Sequence, residues 1–452
     1  MEISNKRIPT ELGTKSVSKL LLSYAIPSVV AMTASSLYNM VDSIFIGHGV
    51  GALAISGLAV TFPMMNVAAA FGAMVGVGAS TLLSVKLGQK DYDTARRVLG
   101  NVVDLNILLG LLLTFLVLPF LDPILYFFGA SESTIPYARE YMQVILLGNV
   151  ITHLYFGLNA LLRASGHPQN AMYATLATVI VNTILDPVFI FGLHLGIRGA
   201  AMATVIAQTL SLCYQIHLFS NQGELVHFQK DIFRLKKRIV MDSMAVGLSP
   251  FLMNLAACTI VIFINNGLKR YGGDLAIGGY GLGNRLLFVF TMLVMGLNQG
   301  MQPIAGYNYG ARLYDRVLKV LRLAITYATT VMLVAFTVSM LFPRQLIGIF
   351  TTDPQLIEIG ARGLRIMVSM FPVVGFQMVT TNFFQSIGKA RISIFLSLTR
   401  QLIFLLPMLI ILPSIYGETG VWVSMPISDL LSALVTGTML LVYMRRFRKA
   451  IA

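Results

Sequence analysis

The chain has 452 residues, of which 56% are hydrophobic and 12% charged, roughly half the charge of a soluble domain. So few charges cannot cover a globular surface of this size, and the +14 formal charge sits in short Lys/Arg clusters between apolar runs, as membrane topology signals do, and not on a nucleic-acid-binding face. Cys213 and Cys258 are the only cysteines and lie in apolar segments, which excludes a disulfide framework or a thiolate metal site.

A spanning helix needs about 20 apolar residues, and twelve stretches qualify: 19–46, 53–84, 95–120, 136–162, 169–192, 199–220, 239–266, 276–305, 317–342, 356–386, 392–413 and 420–443. An all-α membrane protein of twelve transmembrane helices is expected. Span 1 follows Lys6, Arg7, Lys15 and Lys19 and lacks a small-residue cleavage site, so it reads as an anchor. It carries Tyr38 and Asp42 one helical turn apart. Gly47, Gly49 and Ala52 fit Gly-x-Gly-x-x-Ala but follow a helix and not a strand, which argues against a dinucleotide site. Asp104 on span 3 lies near mid-depth without an evident partner. Span 4 contributes Tyr141, span 5 Asn182 and Asp186 one turn apart and followed by Pro187, and span 6 Thr204. In the second half the intramembrane ionisable residues are Arg285, Arg400 and Asp429.

The loops on the side of the termini hold 24 Lys and Arg against 7 on the other side, so both termini are expected in the cytoplasm. Aligning the chain with itself so that Gly88 falls on Gly310 also places Tyr92, Asp93, Val98 and Leu99 on Tyr314, Asp315, Val320 and Leu321, and Gly166 on Gly388. Six spans therefore repeat with parallel topology about an axis along the membrane normal. The expected organisation is an N-lobe over 1–220, a cytoplasmic linker over 221–238 and a C-lobe over 239–452, with a cavity between or within the lobes. No phosphate-cradling loop, His-Glu-x-x-His, Cys-x-x-Cys or hydrolase elbow occurs. An enzyme is therefore not expected, and energy would come from ion gradients.

At about 1.5 Å per residue, Asp42, Asp186, Thr204 and Tyr141 fall at one depth in the outer half of the N-lobe. Pro187 frees the Thr183 carbonyl and should kink span 5 beside Asp186. Asp42, Asn182, Asp186 and Thr204 supply hard oxygen ligands that suit Na⁺, and two adjacent carboxylates suit a shared proton. In the same alignment Asp42 and Asp186 fall on Ile264 and Met408, so a single coupling site is expected. Asp429 is expected to pair with one of the two arginines, leaving the other available to substrate. Arg285, Arg400, Asp429, Met292 and Gln377 are the candidate cavity residues, and the abundant methionines suit an adaptable cavity.

The segments that carry a family likeness are Tyr38-Asn39-Met40-Val41-Asp42 with Pro27 before it, Asn182-Thr183-Ile184-Leu185-Asp186-Pro187, and Gln299-Gly300-Met301-Gln302-Pro303-Ile304-Ala305-Gly306-Tyr307-Asn308-Tyr309-Gly310. They resemble the multidrug and toxic compound extrusion (MATE) family, in its MepA-like branch. The resemblance implies a V-shaped pair of six-helix lobes in the inner (cytoplasmic) membrane, exporting amphipathic, often cationic, drugs in exchange for H⁺ or Na⁺, without a cofactor. It also implies a cation site at Asp42, Asn182, Asp186 and Thr204 with Tyr38 and Tyr141 nearby. Other branches place an acid on span 7, where this chain has Asn254 and Asn265. A monomer in the lipid bilayer is expected, with no nucleic-acid partner. The alternative within the same architecture is a lipid or lipid-linked oligosaccharide flippase, which several cavity arginines would favour.

Overall fold

The computed structural model describes residues 6–451. Seven helical segments cross alone: Val17–Gly49, Leu53–Gly88, Tyr92–Phe127, Pro168–Gly192, Gly196–Phe219, Tyr314–Leu341 and Ala390–Tyr416. An eighth, Glu418–Arg445, is part of the helix Glu418–Ile451. Two further spans are bent pairs, Ile135–Leu147 with Asn149–Ala164 at 56° and Pro354–Val368 with Phe371–Ser386 at 52°. The last helical run, Lys237–Gly310, is broken at Gly273, whose φ of 76° and ψ of −172° only glycine adopts readily. Counting that run as two gives the twelve expected spans.

The repeat is written into the backbone as well as the side chains. Gly51 and Gly273, Lys90 and Arg312, and Gly166 and Gly388 are equivalent pairs in the alignment of the two halves, and all six residues have positive φ. The two bends, at Gly148 and Met370, are equivalent as well. Lobe contacts obey the same relation: a Cβ on Gly88 would clash with Tyr307 O, and one on Gly310 would clash with Val85 O. Span 7 departs from it by one turn. Gly300 packs on Ala25 and Gly296 on Val29, while the symmetric contacts are Gly78 on Ser243 and Gly247 on Met74. Ala25 of span 1 is thus equivalent to Ser243 of span 7, and Val29 to Gly247, so Asp42 corresponds to Ile260 and not Ile264. Both isoleucines are buried, and the C-lobe position stays apolar either way.

These contacts decide which end of the V is closed. Among the described residues, every hydrogen bond, ring contact and close glycine contact between the lobes lies between the basic face, which carries the termini, and the Phe71–Phe251 ring pair at mid-depth. Gln302 sits at the centre of this floor and donates to Ser80 Oγ at 2.9 Å and Thr81 Oγ1 at 2.8 Å. The cleft therefore opens on the opposite face. A branched side chain at Gly88 should hold the floor apart. In a background without Cys213 and Cys258, Thr81→Cys and Gln302→Cys should crosslink readily, and adding Gly88→Val should abolish the crosslinked band on a gel.

A strap precedes span 1. The short helix Glu11–Thr14 is held by the C-lobe: Asn308 Nδ2 donates to Leu12 O at 2.8 Å, and Arg316 Nη2 donates to Lys15 O at 2.7 Å and Leu12 O at 3.1 Å. Upstream, Arg7 N donates to Gly223 O at 2.9 Å and Leu225 N to Arg7 O at 3.2 Å. The segment is thus bound to the interlobe linker and to the second lobe before it enters the first.

Candidate functional site

Spans 1, 5 and 6 are apolar nearly all round, so each polar residue that faces the lobe interior needs a partner there. Asn182 Nδ2 donates to Tyr38 Oη, and also to Thr204 Oγ1 at 3.2 Å. Tyr38 Oη and Thr204 Oγ1 lie 3.2 Å apart, and Thr204 also donates to Ala200 O at 3.2 Å. One turn further out, Asp42 and Asp186 are neighbours across spans 1 and 5. Both are buried, Asp42 at 7% and Asp186 at 0% exposure. Tyr141 is buried beside them and feels both carboxylates. The structure brings together all six residues expected at this site.

The unpaired atoms define what the cluster can do. Asp42 Oδ1, both Asp186 oxygens and Asn182 Oδ1 are buried with no donor from the chain, and no Lys or Arg is ion-paired to either acid among the described residues. Two ionised carboxylates in contact in a lipid-embedded lobe repel strongly, and a buried charge without a counter-charge is costly. A proton held between them, or a cation on the four oxygens, removes both penalties. The donor set fits either. Next to Asp186 the backbone differs from a simple proline kink: the helix Pro168–Pro187 passes into a π-helical turn at Val188–Gly192. A π turn absorbs the lost hydrogen bond by widening, and such turns mark functional sites.

The C-lobe candidates separate. Arg400 Nε donates to Asp429 Oδ1 at 2.6 Å, with Asp429 buried. Arg400 lies in a second π-helical turn, Thr399–Leu405, and its carbonyl accepts from Ser428 Oγ at 3.1 Å. Arg285 is exposed and has no hydrogen-bond or ion-pair partner among the described residues. It lies three turns outward of Gly296 on the face that meets span 1, and Met292 is one turn outward on that face. Asn254 stands two turns outward of Gly247 on span 7 in the same sense. Gln377, expected in the cavity, is buried within the C-lobe at 4% exposure, its Oε1 without a partner. Asp104 is part-exposed on span 3.

Sequence reasoning reaches the outer cluster but misses the polar residues beneath it on spans 4, 5 and 6, among them Asn159, Thr178 and Ser211. Their signal is present in the chain as polar residues recurring every three or four positions on single helix faces.

The MatE family profile matches residues 27–188 and 246–411. The multidrug export protein MepA of Staphylococcus haemolyticus (strain JCSC1435) is 29% identical over 433 residues, covering 96% of this chain and 95% of its own. An outward-facing multidrug resistance MATE family transporter of the MOP superfamily superposes with a TM-score of 0.92 at 25% identity over 98% of this chain and 99% of that one. The MATE multidrug transporter DinF-BH gives 0.89 at 34% identity over 99% of both. With a profile match over both halves and full-length relatives of the same architecture, the chain belongs to the MatE family.

Proposed function

We propose that the chain is a secondary active multidrug exporter, which moves amphipathic, often cationic, compounds through the interlobe cleft in exchange for H⁺ or Na⁺ at the Asp42–Asp186 cluster. One observation carries the coupling site: two buried carboxylates face each other with no donor from the chain on three of their oxygens. The protein sits in the inner membrane in this reading, with the basic face and both termini cytoplasmic, and the transporter acts as a monomer without a cofactor. Residues 1–220 and 239–452 form the lobes, joined by 221–238. Arg285, Met292 and Asn254 line the C-lobe side of the cleft. A flippase cavity with several free arginines fits less well, because of the two intramembrane arginines Arg400 is engaged by Asp429, which leaves Arg285 as the one without a partner among the described residues.

The test imposes gradients one at a time on proteoliposomes loaded with a fluorescent amphipathic cation. A proton gradient or a sodium gradient should drive dye movement against its own concentration. Dye movement indifferent to both gradients would overturn the proposal.

A further inference from the structure

We propose that the N-lobe contains a hydrated proton conduit between spans 4, 5 and 6, leading from the Asp42–Asp186 pair to the basic face and separate from the substrate cleft. The inference rests on the coupling-site reading above and commits it to the proton.

The conduit is built from three polar stripes on facing helices. On span 5, Asp186, Asn182, Thr178 and Thr175 follow one face down to His167 at the basic end. Thr204, Gln208, Ser211 and Gln215 descend span 6, and Thr152, Tyr155, Asn159 and Arg163 descend span 4, at the same three-to-four-residue spacing. They meet in rungs. Below the outer cluster, Thr178 Oγ1 donates to Ser211 Oγ at 2.7 Å, and Thr152 Oγ1 to Gln208 Oε1 at 2.6 Å. Next, Thr175 Oγ1 accepts from Asn159 Nδ2 at 3.3 Å and from Tyr155 Oη at 3.4 Å. Arg163 then donates to Asn159 Oδ1, and the His167–Glu224 pair, 3.2 Å apart, closes the series at the basic face. The stretch from His167 to Asp186 rises about 28 Å, close to the thickness of the hydrocarbon layer.

A second observation points to water inside the stripe. Gln215, one turn below Ser211, is fully buried, and neither its Nε2 nor its Oε1 has a partner in the chain. Buried amides without protein partners hold ordered water. At the equivalent positions of the second half Thr204, Gln208, Ser211 and Gln215 become Pro426, Leu430, Ala433 and Gly437, and the buried polar residues of that helix, Ser424, Ser428, Asp429, Ser432 and Thr436, stand in a different register.

Along such a chain the proton leaves the Asp186 carboxyl as its O–H bond breaks and a bond to the first water forms. Each water passes one proton on, and the last releases one to bulk beside Glu224, with no net change in the chain. No acid stands between the pair and Glu224 on these stripes to hold a sodium ion on the way. Arg163 has no acidic partner among the described residues. Its fixed positive charge acts as the barrier that keeps the conduit from leaking, as arginines do in water channels.

The test follows proton flux with a pH dye in proteoliposomes. Thr178→Val and Ser211→Leu should each slow drug-coupled proton flux about tenfold, the equivalent of one lost hydrogen bond at the barrier, with drug binding and thermal stability unchanged and Thr178→Ser restoring the rate. Arg163→Gln should raise drug-free proton leak about tenfold, and adding Ser211→Leu should suppress that leak. Should Ser211→Leu fail to fold, the Thr178→Val and Thr178→Ser pair and the Arg163→Gln leak decide the matter. Wild-type coupled flux in Thr178→Val, or an unchanged leak in Arg163→Gln, overturns the conduit. Asp186→Asn run alongside separates the two levels: if it leaves coupled flux intact the coupling-site reading itself fails, and if it stops flux while the conduit variants behave as wild type only the conduit fails.

Discussion

Asp186→Asn, and independently Asp42→Asn, should reduce gradient-driven efflux to the level of empty vesicles while folded protein stays in the membrane. The amide preserves volume and hydrogen-bonding capacity, so Tyr38, Asn182 and Thr204 keep their contacts. What it removes is the group that takes up and releases the coupling ion. Neutralising one member of a buried like-charge pair also relieves repulsion, so the melting temperature of each variant should equal or exceed that of the parent. Loss of transport with retained or raised stability is the expected pattern, and undiminished efflux by either variant would remove the acids from the mechanism.

The second large effect concerns the C-lobe and is a loss of stability. Arg400→Ala should destabilise the protein by about 3–5 kcal/mol, because it strands a carboxylate inside the lobe. Asp429→Asn should cost less. The Arg400 side chain is 33% exposed against 3% for Asp429, so the freed guanidinium can rehydrate where the freed carboxylate cannot. Both should depress export of a cation and a zwitterion alike. Arg285→Ala is the contrast: with no partner to strand, it should leave stability unchanged and slow export of a zwitterion by about tenfold, the worth of one charge-assisted hydrogen bond, while sparing a cation. Thermal unfolding in detergent and paired efflux assays read all three. Equal stability of Arg400→Ala and wild type would remove the structural role of the pair.

Much of the architecture was legible because lipid leaves few options. A run such as 317–342 has no water to satisfy its backbone and must be helical, and the helix found there is Tyr314–Leu341. The depth of Asp42 and Asp186 followed from rise per residue alone. Other features depend on contacts that no local pattern encodes. The one-turn offset of span 7 is set by which glycine receives which backbone, Gly78 on Ser243 as against Gly300 on Ala25. Pro187 announced a disturbed helix, but whether the chain kinks or widens into a π turn depends on how neighbouring helices pack against it. Gln377 shows the limit for single polar residues: its sequence position is compatible with the cleft, and only packing turns it into the lobe. The choice of Arg400 over Arg285 as partner of Asp429 was equally closed to the sequence, since both lie at similar depth and only rotation about the helix axis separates them.

The strap has a consequence for biogenesis. Its docking partners Gly223, Asn308 and Arg316 are translated some two to three hundred residues after it. At about 5–20 residues per second, the strap emerges from the ribosome tens of seconds before the last of its binding surface exists. Span 1 therefore inserts with a basic, unattached leader, and the ordering of that leader reports the arrival of span 8 and its junction with span 9. A nascent chain stopped before Asn308 should show residues 6–15 open to protease, and one stopped well beyond Arg316 should show them protected.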